Sequence, residues 1–222
     1  MKLTITILQV LFLCLPLVGC GQRPAIITVK DVNSSETITQ VKTEVPLPQP
    51  KPEEPAEAEN EKFTETKAKA ESRDAKAQFN LGMMYFMGQG VAEDGKEAAT
   101  WWRKAADQDH AEAQYWTGLC YAHGNGVLKD ETNGVTWYRK AAEQGHVMAQ
   151  LALGGVYQNG KGVPRDPMAA YTWYKICIAN GYRIAEAGVE FLIKEMAPEQ
   201  IAKAEALAKE MIAKNPNLIK KP

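Results

Sequence analysis

No serine occurs between Asp74 and Pro222, which excludes a serine hydrolase built on that stretch. Charge of one sign is also missing. Lys and Arg total 26 against 27 Asp and Glu, a net charge of -1, so the basic excess that nucleic acid attracts is absent and no nucleic-acid partner is expected. Cysteine is scarce: Cys14, Cys20, Cys120 and Cys177 are the four, and no two stand at CxxC spacing. Zinc ribbons and thioredoxin-like redox motifs are thereby excluded. The H-E-x-x-H, G-x-x-x-x-G-K and G-x-S-x-G patterns do not occur, which removes zincin, phosphate-loop and hydrolase readings. The histidines are His110, His123 and His146, none with neighbouring ligands in sequence. No metal and no cofactor are expected.

Long hydrophobic runs are missing too, except one at the start. Lys2 precedes an apolar run from Leu3 to Val18 that Thr4, Thr6, Gln9 and Pro16 interrupt. A transmembrane helix needs about 20 apolar residues, so the run fits the core of a signal peptide over residues 1–19. It ends in Leu17-Val18-Gly19-Cys20, which resembles the bacterial lipobox. Small residues there admit a peptidase, and a thiol is the nucleophile able to take a thioether-linked diacylglycerol. The resemblance implies cleavage before Cys20, acylation of the new amino group with palmitate-type chains, and membrane attachment through that lipid. An ordinary signal peptide with a chance cysteine is the plainer alternative. One acyl chain holds only marginally, at about 0.8 kcal/mol per buried methylene, whereas several hold stably. Gly21 stands where an aspartate would resemble an inner-membrane retention signal. The resemblance therefore implies a lipid-anchored protein of the cell envelope, on the periplasmic face of the outer membrane if the host is Gram-negative.

Residues 20–60 lack aromatics; Pro46, Pro48, Pro50, Pro52 and Pro55 crowd one stretch, and Glu53, Glu54, Glu57, Glu59 and Glu61 follow. Such a segment cannot bury enough apolar surface to offset its conformational entropy. A polyproline stretch of ten residues spans roughly 30 Å, and the segment reads as a disordered spacer after the lipidated cysteine. A proline-rich recognition peptide is the sharper alternative.

A period of 36 residues governs the chain from Asp74 to Gly181. Its columns include Ala77, Ala113 and Ala149; Gln78, Gln114 and Gln150; Gly82, Gly118 and Gly154; Tyr85, Tyr121 and Tyr157; and Trp101, Trp137 and Trp173. Gly88 and Gly90 recur as Gly124 and Gly126, then Gly160 and Gly162, and Asp94 recurs as Asp130 and Asp166. Each unit reads as two helices. The first, over about 75–87 in unit one, carries small residues on one face. The glycines break it and admit positive φ. Asp94 is placed to cap the second helix, where Trp101 and Ala105 share a buried stripe. No unit can bury its face alone, so the core comes from stacking. The Gly-x-Gly turns follow no strand, so they are structural and not phosphate cradles. His110 and His146 take the helix-entry position that Asp74 fills in unit one.

Ala-x-Ala-Gln, Gly-x-Gly-Val and the run Trp137 to Ala142 resemble the Sel-one-like repeat, a relative of the tetratricopeptide repeat. The resemblance implies an all-α fold: an α/α solenoid of helix-pair repeats with capping helices. Three full units cover 74–181, an N-terminal capping helix covers 61–73, and a degenerate fourth unit with a C-terminal capping helix covers 182–215. In that last part a first helix runs to about Lys194 and Pro198 opens the final one. Unit two departs from the pattern at Trp116 and Thr117, and Ile176-Cys177-Ile178 replaces the Lys-Ala-Ala end in unit three. Cys177 aligns with Ala105 and Ala141 and reads as a buried small residue; a Cys120–Cys177 disulfide is left open. A branch of the family that pairs cysteines within each repeat has been linked to penicillin binding, and its pattern is missing here.

The resemblance implies a protein-interaction module without catalysis, its partner another protein. Some lipid-anchored relatives are immunity proteins that neutralise secreted toxic enzymes, which makes immunity one alternative. A cell-wall-ligand binder or envelope enzyme is another, and would require convergent carboxylates or histidines. Candidate partner-binding residues are first-helix positions that vary between units: Asn80, Met84, Trp116, Cys120 and His123. Trp116 stands out because Asn80 and Ala152 share its column. For the anchor, a Cys20→Ser chain is expected to leave the membrane pellet for the soluble fraction. The mature parent should carry an acylated Cys20 by mass spectrometry, and a variant that sediments wholly with membranes would count against lipidation.

Overall fold

A computed structural model describes residues 54–219. The signal segment, Cys20 and the spacer up to residue 53 lie outside the described residues. Among those described, every regular element is helical: α1 (Glu54–Glu71), α2 (Ala75–Met87), α3 (Gly95–Ala106), α4 (Ala111–His123), α5 (Glu131–Glu143), α6 (Val147–Asn159), α7 (Pro167–Ala179), α8 (Glu186–Ile193) and α9 (Pro198–Lys214), with short 3₁₀ turns at Arg183–Ala185 and Pro216–Leu218. None of these helices is long and apolar enough to cross a membrane.

The helix ends follow the repeat. Asp74, His110 and His146 cap α2, α4 and α6, each accepting from the amide three residues on, at 2.7, 3.2 and 3.2 Å. Both histidines use Nδ1, as a carboxylate would. Phe79 stacks on the His110 ring and Tyr115 on that of His146, at 5.1 and 4.9 Å between centroids. Asp94, Asp130 and Asp166 cap α3, α5 and α7. Such caps each contribute about 1 kcal/mol.

Packing pairs α2 with α3, α4 with α5 and α6 with α7, and each pair then leans on the next. The close approach inside a pair is made by a glycine under an aromatic ring. A Cβ on Gly118 would stand 2.6 Å from the Tyr138 ring, and one on Gly82 2.5 Å from Trp102. Between pairs, the second turn glycine does the same against backbone. Gly126 has φ +73, and a Cβ there would meet the Gly95 carbonyl oxygen at 2.0 Å. Ala105, Ala141, Leu81, Leu153 and Ile176 fill the interior with no exposure.

The stack of three units with caps is the solenoid expected. The first cap differs in extent. α1 opens at Glu54 and so takes in residues assigned to the spacer, because the Ala- and Glu-rich run after Pro52 favours helix. The fourth unit keeps only a short first helix, α8. Helix α9 then packs on α7, where Thr172 Oγ1 donates to the Ala204 carbonyl at 3.3 Å and the Tyr171 hydroxyl to Glu205 at 3.0 Å. Beyond it, Leu218 folds back and is 2 % exposed in the core of units two and three.

Thr117 sits in the column of Leu81 and Leu153, 2 % exposed, and among the described residues its hydroxyl has no hydrogen-bond partner. Replacing it by valine removes a buried unsatisfied group and is expected to raise stability by about 1 kcal/mol. Gly118→Ala, one position on, drives a methyl into Tyr138 and should lower stability by roughly 1–3 kcal/mol. Urea denaturation of both variants checks the opposite signs.

Candidate functional site

Two cavities open along the first helices. One, of about 500 Å³, lies between units one and two and is lined by residues including Phe86, Trp102, Trp116, Leu119, Cys120 and His123. The other, of about 450 Å³, is the same place one repeat later, lined by residues including Ala122, Tyr138, Ala152, Gly155, Val156 and Asn159. Leu119 and His123 line both, so the two join into one groove.

The backbone of the groove repeats but its side chains do not. In the first cavity Trp116 stacks on Trp102 with centroids 4.9 Å apart and rings 30° from parallel, and Phe86 leans on both at 5.5 Å. Such pairs contribute about 0.5–1.5 kcal/mol each beyond burial. At the same positions one repeat later stand Tyr138, Ala152 and Ala122, which leave the space open. Glu93 lines the first cavity, and Lys129, Glu131 and Lys161 line the second. Lys129 and Glu131 pair at 2.7 Å. In the wall of the aromatic cavity, Phe86 is 45 % exposed.

Of the five partner-binding positions expected from sequence, Trp116 is half-buried in the groove wall and His123 is exposed there. Asn80 is exposed but lines neither cavity. Met84 and Cys120 are 4 % and 3 % exposed; Cys120 lines the first cavity and Met84 lines neither. Their column reads Met84, Cys120, Val156, apolar throughout, and its variation is that of a tolerant core position. Sequence reasoning missed Phe86. The signal was there: Phe86 shares a column with Ala122 and Gln158.

Cys120 and Cys177 are both free and both buried, in separate core clusters. Burial pushes each thiol up to about 11. Among the described residues no group of His, Cys, Asp and Glu is placed to hold a metal ion.

The Sel1 repeat matches residues 75–110, 111–146 and 147–182. The chain belongs to the Sel1-repeat family. Sel1 repeat proteins typically mediate protein–protein contacts. A solved structure similar to this chain is a protective antigen present in uropathogenic Escherichia coli strains and displaying an SLR fold. It is 37% identical with a TM-score of 0.65, and the match covers 70% of this chain and 34% of that one. A Sel1 repeat protein from Oxalobacter formigenes is 29% identical with a TM-score of 0.59, covering 70% of this chain and 64% of that one. The chain thus spans about a third of the first relative's length. No curated protein matches it.

The thiols give a direct check on the core. In a chain starting after Cys20, Cys120 and Cys177 are expected to stay unreactive to a disulfide reagent at pH 8. Both should react at once in denaturant, where two free thiols per chain are counted.

Proposed function

We propose that this Sel1-repeat chain is a lipid-anchored interaction module of the bacterial cell envelope that grips a protein partner along the first-helix groove and carries no reaction of its own. Lys2, the apolar run and Cys20 support the anchor, and the proline-rich stretch supports a stand-off from the bilayer. The groove reading rests on one observation: half-exposed Phe86 lies with the stacked Trp102 and Trp116 in the wall of an open cavity. Clustered apolar exposure of this kind marks interaction surfaces, and aromatic anchors in pockets are where binding energy concentrates. The partner therefore brings an apolar side chain to the Trp116 cavity, with polar contacts at Glu93 and His123 around it.

Capture from envelope extract on the immobilised chain is the test. The parent is expected to retain a stoichiometric protein, and Trp116→Ala to weaken it roughly tenfold or more, as removal of a hot-spot residue does. Its circular dichroism should match the parent's. Retention of peptidoglycan fragments with no protein partner would overturn the reading.

A further inference from the structure

The helix ends away from the Gly-x-Gly turns carry a second site. In units two and three it is occupied by the chain itself. Leu218 is buried in the cluster with Ala142, Trp173 and Ile176. Its carbonyl accepts from Gln150 Nε2 at 2.8 Å and from Asn180 Nδ2 at 2.7 Å, and Asn215 Nδ2 donates to the Glu143 carbonyl at 2.9 Å. The seat of the tail is thus Ala142, Glu143, Gln150, Trp173, Ile176 and Asn180.

Two repeats earlier these positions are Ala70, Glu71, Gln78, Trp101, Lys104 and Gln108. All six line a cavity of about 480 Å³. Ala70 and Glu71 repeat Ala142 and Glu143 unchanged. Gln78, 4 % exposed, donates one N–H to the Ala70 carbonyl at 3.1 Å, and among the described residues no group takes the other. The corresponding second N–H is used in both later units. Gln114 donates it to Asp109 Oδ1 at 3.2 Å, and Gln150 to the Leu218 carbonyl. Asp109 shares its column with Arg73 and Gly145, all three at positive φ. So the middle seat is filled by its own carboxylate and the third by the tail. The first has neither, since Arg73 offers no acceptor. One residue differs in kind: Lys104 replaces Ile176 and lays its ammonium 3.6 Å from the Trp101 ring centroid. That flexible chain can swing aside.

We infer that this cavity is a peptide-binding site for a segment of a partner protein with the chemistry of the chain's own tail. That chemistry is a proline-led turn followed by leucine. The leucine side chain lies on Trp101, its carbonyl takes the spare Gln78 N–H and the Gln108 N–H now spent on a long 3.4 Å bond to the Lys104 carbonyl, and a turn amide reaches the Glu71 carbonyl. The site stands on residues distinct from those of the groove.

A labelled peptide with the sequence of Lys214–Ile219, amidated, is the probe, read by fluorescence anisotropy against the full chain. Saturable binding is expected, and replacing the peptide's leucine by alanine should weaken it roughly tenfold or more. That arm needs no change to the protein. Arg73→Asp is the second arm. It places at residue 73 the carboxylate that Asp109 places in the next unit, so it should plug the seat and abolish binding with no loss of thermal stability. Binding that survives Arg73→Asp means exchange with the chain's own tail in unit three, and overturns the proposal. So does self-association of the parent that Arg73→Asp dissolves, since the occupant would then be a second copy. No binding by the leucine peptide overturns it outright.

Discussion

A buried glutamine amide sits where each repeat meets the one before. Gln78, Gln114 and Gln150 each reach back eight residues to a carbonyl at the end of the preceding helix. Each accepts from a residue thirty positions on, Gln108, Gln144 or Asn180, at 2.7–2.8 Å. One side chain thereby ties three helices. An amide this deeply buried costs about 1–3 kcal/mol if left unpaired, so any slip of one pair against the next is penalised at every rung. Apolar packing alone tolerates such slips. The rungs set the spacing at which cavities recur along the first helices, and the groove's geometry follows from them.

Within that frame, side chains released from packing carry the individuality. Gly82, Gly118 and Gly154 hold the two helices of a unit together under Trp102, Tyr138 and Tyr174. What lies over those rings is free to differ. Phe86 closes on Trp102 in unit one, Ala122 leaves Tyr138 open in unit two, and Gln158 accepts from the Tyr174 hydroxyl at 2.7 Å in unit three. One backbone thus presents an aromatic shelf, an open trough and a polar plug in turn.

Most of the fold was legible because every structural requirement recurs. The turn glycines, the capping aspartates and the tryptophan columns each appear three times, and Pro198 opens its helix as its ring geometry demands. His110 and His146 read correctly as helix-entry residues because Asp74 shared their column. Legibility failed where periodicity carries no information. A variable column is either a released surface position or a forgiving core one, and burial of the column of Met84 and Cys120 is visible only in the stacked structure. The glutamine column was visible, but its hydrogen bonds join positions that only the stacked structure brings together. Leu218 lies past the last repeat, and no pattern announces that it returns to the core. Glu54 to Asn60 read as spacer because proline dominates the stretch before them.

That returning tail makes the array asymmetric in how it comes apart. Nearly every other contact in a solenoid is local, so its ends fray repeat by repeat. The bonds from Gln150 to Leu218 and from Asn215 to Glu143 join residues 68 and 72 positions apart, and close the carboxyl half into a loop. Unravelling from that side must first release a buried leucine and three hydrogen bonds together. Among the described residues the amino side has no such clasp beyond α1. The described array is thus latched at its carboxyl end, and mechanical or thermal stress on it is relieved first in the repeats farthest from that latch.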